Sequence, residues 1–132
     1  MNTKFFMTAS AIALGVQGMI FTFLPAEIAG YLEAETTNQF QFLIQIIGAL
    51  YFGFGMLNWM TKTNPIGGIY NRPVAIANLS HFTIGGLALI KGLLANPALP
   101  KAIWIIGIIY VVFAIAFGIV LFHDPLNEKK PE

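Results

Sequence analysis

The sequence predicts an all-α fold, a membrane-spanning four-helix up-down bundle with a short external interfacial helix after the first span. Three observations predict it. The 132 residues are 57% hydrophobic and only 10% charged, which makes the chain far more apolar than an ordinary soluble domain. Four apolar runs approach the ~20 residues that cross ~30 Å of hydrocarbon as a helix. The connections are short and contain proline and glycine, which favours antiparallel neighbours.

The predicted spans cover residues 5–24, 40–60, 74–95 and 102–122. Lys91 is the only charged residue within them, and it lies near the end of its run, where its long stem can reach the headgroups. Because backbone polar groups in hydrocarbon must be paired within their own segment, the runs are predicted as helices. So short a chain offers no core for several domains, and we predict a single domain over residues 1–132 with a polar tail over 123–132.

The first run continues to Leu24, beyond a usual signal-peptide core, so we expect it to be retained as a helix. After it, Pro25 and Glu27 suit the first turn of a short helix, and Ile28 and Tyr31 share one face of that helix. These features predict a helix lying on the external membrane surface.

The distribution of lysine and arginine predicts the orientation, because cytoplasmic loops carry an excess of basic residues. If four helices alternate, one side carries Lys4, Lys62, Arg72, Lys129 and Lys130, and the other carries only Lys91 and Lys101. We therefore predict an integral protein of a bacterial-type inner (plasma) membrane with both termini cytoplasmic. The two lysines near the third loop are the exception to this pattern.

Small and polar residues should mark the helix interfaces, because lipid tails do not drive apolar helices together. Each span offers such a stripe: Ala11, Gly15, Gly18 and Thr22; then Gln41, Gln45, Gly48, Tyr51, Gly55 and Asn58; then Asn71, Val74, Asn78, His81 and Gly85; and finally Gly107, Ala114 and Gly118. The last span is otherwise apolar almost throughout, and we expect it to face mostly lipid.

Polar residues of the second and third spans converge in the predicted cytoplasmic half. Unpaired amide and imidazole groups are costly in hydrocarbon, so Asn78 and His81 should face inward. Arg72 could hold a carboxylate or phosphate at the mouth of a pocket with aromatic walls. We therefore predict a pocket for a lipid headgroup or small amphiphile, with these candidate ligand-binding residues: Asn58, Asn71, Arg72, Asn78, His81, Tyr51, Trp59 and Tyr70.

A purely structural interpretation of the same residues stays open. Asn78 and His81 would then fix the register of the helices, each contact contributing about 1 kcal/mol. Arg72 would be a cytoplasmic anchor, and Trp59 and Tyr70 would belong to an aromatic belt at the membrane surface.

Several functional classes find no support in the residues. The chain has no cysteine, its seven basic residues are scattered, and its six carboxylates all lie in the first loop or the tail. We therefore expect no catalytic residue, no cofactor, no metal site and no nucleic-acid partner, and the chain is more plausibly a binding protein than an enzyme. The expected partners are membrane lipids and either a homo-oligomer or a larger membrane complex.

The chain resembles the small DoxX-like membrane families, which are four-helix proteins. The matching features are Phe23-Leu24-Pro25-Ala26-Glu27 at the end of the first span, the glycine-rich segment from Gln45 through Gly48 to Gly53 and Gly55, and the short basic loop before Pro73. An arginine often stands in such families where Gln45 stands here, so no functional residue is carried across. The resemblance implies the bundle, the membrane location and at most an accessory role in membrane or redox physiology.

Three functions therefore remain at this stage. The first is binding of a lipid-like or small amphiphilic ligand in the cytoplasmic-side pocket. The second is an accessory or assembly subunit of a larger membrane complex, which would use the small-residue faces at Gly15 and Gly18 or at Gly107 and Gly118. The third is a membrane-embedded enzyme or redox-associated protein of DoxX-like type.

Overall fold

The structure, a computed structural model, describes residues 2–34 and 37–123. This part of the chain contains five α-helices and no β-strand: α1 (Thr3–Phe23), α2 (Pro25–Tyr31), α3 (Asn38–Thr61), α4 (Arg72–Ala95) and α5 (Lys101–Phe122). The predicted all-α fold is confirmed. The four predicted spans correspond to α1, α3, α4 and α5, and each helix end lies within two residues of its predicted position.

Local hydrogen bonds and prolines explain where the helices begin and end. The Thr37 side-chain hydroxyl accepts a hydrogen bond from the Phe40 backbone N–H at 3.2 Å and caps α3. Asn2 caps α1 in the same way, accepting from the Phe5 N–H at 3.1 Å. Pro25 lies two residues after the end of α1, and a proline disfavours helical geometry at the residue before it, here Leu24, so α1 ends at Phe23.

The short helix predicted after the first span is present as α2. Pro25 lies in its first turn together with Glu27, whose carboxylate suits the positive end of the helix dipole. Its location on the external membrane surface stays a prediction. The tail prediction falls mostly outside the described residues, since only His123 of residues 123–132 is described.

The chain divides into two compact units, which we name hairpins. The first hairpin, Met7–Lys62, contains α1 from Met7 onward, α2 and α3. The second hairpin comprises the described residues of Met1–Phe6 and Thr63–Glu132, with α4 and α5. In each hairpin the two long helices are antiparallel, because successive contacts involve increasing residue numbers on one helix and decreasing residue numbers on the other. The single-domain prediction stays a prediction.

Backbone-to-backbone contact between glycines holds the first hairpin together. A Cβ atom added to Gly48 would lie 2.9 Å from the carbonyl oxygen of Gly18 and 2.7 Å from the backbone nitrogen of Thr22. A Cβ added to Gly55 would lie 2.8 Å from the backbone nitrogen of Gly15. Helices approach this closely only where side chains are absent. The small-residue stripes predicted for the first two spans therefore mark a real interface.

Aromatic side chains fill the interface of the second hairpin. Phe82 of α4 is fully buried, and its ring lies 4.8 Å from Phe113, 5.1 Å from Tyr110 and 5.7 Å from Phe117 of α5, between ring centroids. In the most apolar 18-residue segment of α5, a third of the segment is buried, which is the largest share among the four long helices. The expectation that the last span faces mostly lipid thus misses a well-packed face of this helix.

The loop that precedes α4 lies against the end of α5. The Gly68 backbone N–H donates a hydrogen bond to the Leu121 carbonyl oxygen at 3.1 Å. Gly67 has φ 126°, and any side chain there would meet the carbonyl oxygens of Val120 and His123. Both the backbone conformation and the lack of space therefore require glycine at position 67.

Candidate ligand-binding site

Asn58 lies at a buried polar contact of the first hairpin. Its side chain is fully buried, and its Nδ2 donates a hydrogen bond to the Ser10 hydroxyl at 3.0 Å. Ser10 in turn donates to the Met7 carbonyl oxygen at 3.0 Å. This chain of hydrogen bonds links α3 to α1, so Asn58 contributes to the helix interface.

The two aromatic candidates of α3 lie in different surroundings. Tyr51 is half-buried, and its ring lies 5.6 Å from that of Phe21 on α1, centroid to centroid. Trp59 is 48% exposed, and the Lys62 ammonium lies 2.9 Å from the centroid of its ring. A lysine above an indole face is a cation–π contact, which suits the end of a membrane span.

Three candidates lie where the second hairpin begins. Asn71 precedes α4 in a left-handed conformation, φ 45°, and its Nδ2 donates to the Pro65 carbonyl oxygen at 2.8 Å. Tyr70 exchanges two backbone hydrogen bonds of 2.9 Å with Gly67. Arg72 is exposed in the first turn of α4. Asn71 and Tyr70 therefore shape the loop, whereas Arg72 is available to an anion.

Asn78 and His81 point into the second hairpin, as predicted. Asn78 is fully buried, and its Nδ2 donates to the Val74 carbonyl oxygen of its own helix at 3.0 Å. His81 Nε2 lies 3.1 Å from the Tyr110 hydroxyl of α5, and the two rings are 5.5 Å apart between centroids. The sequence did not single out Tyr110 as a partner, because tyrosine in an apolar helix has many uses.

The eight candidate residues are divided between the hairpins. Tyr51, Asn58 and Trp59 belong to the first hairpin, and the other five belong to the second. Within the hairpins the structure pairs Asn58 with Ser10 and His81 with Tyr110. A common pocket that joins all eight stays a prediction.

An apolar groove lies on the second hairpin, and none of the eight candidates lines it. This α4/α5 groove has a volume of about 220 Å³ and is lined by Ile90, Leu93, Trp104, Gly107, Ile108, Val111 and Val112. The groove is open at this point because Gly107 has no side chain: a Cβ atom added there would lie 3.1 Å from Leu93 Cδ1. Trp104 and Ile108 are 40% and 63% exposed at its rim. Such a lining accepts hydrocarbon and offers almost no polar group.

A second groove lies on the first hairpin. This α1/α3 groove has a volume of about 320 Å³ and is lined by Gly18, Met19, Thr22, Phe23, Ala49 and Phe52. It is also apolar, and it lies beside the contact of Gly18 with Gly48. Sequence reasoning missed both grooves. A glycine on a helix otherwise made of large residues, such as Gly107, was the available signal.

Metal binding finds no support among residues 2–34 and 37–123, where no group of three His, Cys, Asp or Glu residues could hold an ion. No family model, curated protein or solved structure matches the chain. The DoxX-like resemblance therefore stays a prediction.

The class of the protein follows from its helices. All four long helices of the described residues are long and apolar enough to cross a membrane. Their outward faces expose large apolar side chains, for example Phe42 at 62%, Ile84 at 70% and Ile115 at 61%. Surface of this kind is matched by lipid rather than water. The chain is an integral membrane protein.

Proposed function

We propose that this integral membrane protein is a non-enzymatic binder of a lipid-like amphiphile, whose hydrocarbon part lies in the α4/α5 groove. The groove itself is the observation that supports the proposal. It is an apolar recess of about 220 Å³ on the surface of a hairpin whose helices are both long enough to span. Sites for complete small molecules measure about 300–1,000 Å³, so this recess suits one hydrocarbon chain of a larger amphiphile.

The α4/α5 groove is a better binding site for the hydrocarbon part of the ligand than the predicted polar pocket. Asn58, Asn78 and His81 each have a hydrogen-bond partner within their own hairpin. A ligand headgroup would have to compete with those contacts. The groove, by contrast, has lining atoms that only an apolar group can cover.

The polar pocket remains the alternative place for the same ligand. Arg72 supports it, because this exposed guanidinium lies in the first turn of α4 and could pair with a phosphate or carboxylate. This end of the second hairpin is opposite to the groove, since Ile90 and Leu93 lie in the last two turns of α4. Variants can therefore separate the two sites.

The accessory-subunit role remains the alternative function. Of the glycines on its two proposed faces, Gly18 packs against the backbone of Gly48 and Phe52, and Gly107 approaches Leu93. Gly118 approaches Leu79 in the same hairpin, whereas a Cβ at Gly15 meets nothing within 4 Å. Three of the four glycines thus have neighbours within their own hairpin, which favours ligand binding as the first proposal.

The experiment is native mass spectrometry of the full chain extracted in detergent, with Ile108→Trp and the matched control Ile105→Trp. Both isoleucines are about equally exposed on α5, at 63% and 59%, but only Ile108 lines the groove. A tryptophan at position 108 should occupy the groove. If the lipid loses about ten carbon–carbon contacts, each contributing about 0.1–0.2 kcal/mol, its binding free energy falls by about 1–2 kcal/mol. The amount of retained lipid should then fall roughly tenfold.

Retention of lipid by Ile108→Trp at the wild-type level would contradict binding in the groove. The variants Asn78→Leu and His81→Leu test the polar pocket in the same preparation. If they lose the lipid with unchanged melting curves while Ile108→Trp keeps it, the ligand lies in the polar pocket. A wild-type chain that retains no lipid would refute the proposed function altogether.

A further inference from the structure

Lys101 lies at the end of α5 where the α4/α5 groove begins. It is the first residue of α5, one turn before the lining residue Trp104. Residues three apart share a helix face, so Lys101 lies on the same side of α5 as the groove. Lys91 is next to the lining residue Ile90 in sequence, but at about 3.6 residues per turn it lies on another face of α4. Both lysines are exposed.

These lysines have no acidic neighbour along the second hairpin. No aspartate or glutamate occurs in the sequence between Lys62 and His123. They are also the two basic residues that depart from the predicted excess of positive charge on the cytoplasmic side. An exposed ammonium beside an apolar groove, on a segment that has no carboxylate between residues 63 and 122, is complementary to an anion that carries a hydrocarbon chain. Lysine is a common binder of phosphate.

The length of the groove matches one leaflet of a bilayer. From Lys101 to Val112 the helix advances eleven residues, which at 1.5 Å each is about 16 Å. Half of a ~30 Å hydrocarbon core is ~15 Å. A lipid whose headgroup lies beside Lys101 would therefore have the upper part and middle of one acyl chain along the lining residues, and would reach about the midplane at Val112.

We propose that the α4/α5 groove binds an anionic phospholipid, with an acyl chain along α5 and its phosphate paired with Lys101. This inference rests on the proposed function and adds the headgroup charge to it. The α1/α3 groove lacks this arrangement, because the charged residues that follow its lining residue Phe23 in the first loop are Glu27, Glu33 and Glu35. Two grooves of similar lining thus differ in the charge beside them.

The experiment offers the detergent-solubilised full chain an equal mixture of phosphatidylglycerol and phosphatidylcholine with identical acyl chains, and native mass spectrometry counts each adduct. The wild type should retain more phosphatidylglycerol. Near a membrane surface, one lysine contributes about fivefold to the binding of anionic lipid. Lys101→Gln should lower the preference by about that factor, and Lys101→Arg should preserve it.

Lys91→Gln is the matched control, because it removes one positive charge from another face of α4 in the same hairpin. It should leave the preference unchanged. An equal loss in Lys91→Gln and Lys101→Gln would show a response to net charge and would overturn the inference. Equal retention of both lipids by the wild type, abolished by Ile108→Trp, would refute the anionic preference while leaving the proposed function intact. No retention of either lipid would refute both.

Discussion

The two hairpins solve the same packing problem with different atoms. In the first, α1 and α3 meet backbone to backbone at Gly18 and Gly48. In the second, α4 and α5 meet through aromatic rings that pack around Phe82. Helices in lipid cannot associate by expelling water from apolar surface. The comparison shows two alternatives: close backbone contact at glycines, and interlocking of large side chains. Adding side-chain atoms at the interface should therefore destabilise the first hairpin, and removing them should destabilise the second.

The largest expected effect is in the second hairpin, where removing a ring leaves a cavity. Phe82→Ala should lower the free energy of unfolding by about 3 kcal/mol, because the buried ring contacts three others that cannot close around the void. Denaturation of the purified chain in mixed detergent micelles measures this change. Ile84→Ala is the control, since Ile84 is 70% exposed and should cost far less. Equal losses would mean that the aromatic cluster is not the main contact.

In the first hairpin, adding a single carbon should have the damaging effect. Gly48→Ala places a Cβ 2.7 Å from the backbone nitrogen of Thr22, so the helices must separate, at a cost of about 2 kcal/mol. Gly53→Ala on the same helix meets nothing within 4 Å and should gain up to about 1 kcal/mol of helix propensity. The same denaturation assay compares them. A stabilised Gly48→Ala variant would contradict the backbone contact.

A double-mutant cycle refines the comparison for the buried hydrogen bond of the first hairpin. Asn58→Ala and Ser10→Ala, alone and together, should show a coupling of about 1 kcal/mol, because Asn58 Nδ2 donates to the Ser10 hydroxyl. Unfolding free energies of the four proteins give the coupling. Strictly additive losses would show that the bond contributes nothing to the hairpin.

The smallest effect is expected at the polar contact of the second hairpin. Tyr110→Phe removes the hydroxyl near His81 and keeps the ring against Phe82, so it should cost about 0.6 kcal/mol. Tyr110→Leu removes the ring as well and should cost clearly more. Near-equal losses for these two variants, measured by denaturation, would assign the stability to the hydrogen bond instead of the ring packing.

The sequence predicted the elements better than the contacts of the last helix. Span ends were predictable because the limits of the apolar runs, together with Pro25 after the first span, mark where helices begin and end. The α1 and α3 interface was predictable because glycine is conspicuous among large residues. The buried face of α5 was not, since Phe113 and Phe117, facing protein, are as apolar as Ile115, facing outward. In lipid, hydrophobicity does not distinguish the two sides of a helix.

The candidate site was predictable only in part. That Asn58 and Asn78 are buried follows from the cost of exposing an amide to hydrocarbon. Their partners could not be foreseen, because Ser10 and the Val74 carbonyl oxygen are acceptors of a kind found on every helix. The grooves could not be predicted because they depend on the distance between two helices. The spacing of residues along the sequence does not determine that distance.

The contact between Gly68 and Leu121 also constrains the order of assembly. The loop leaves the ribosome before both helices of its hairpin, yet the carbonyl oxygen that its N–H binds belongs to the last turn of the last one. The first hairpin can close as soon as α3 has been inserted. The segment that leads into α4 acquires its final shape only after α5 has been synthesised, so a truncation within α5 would leave the Gly68 N–H without the Leu121 carbonyl oxygen as its acceptor.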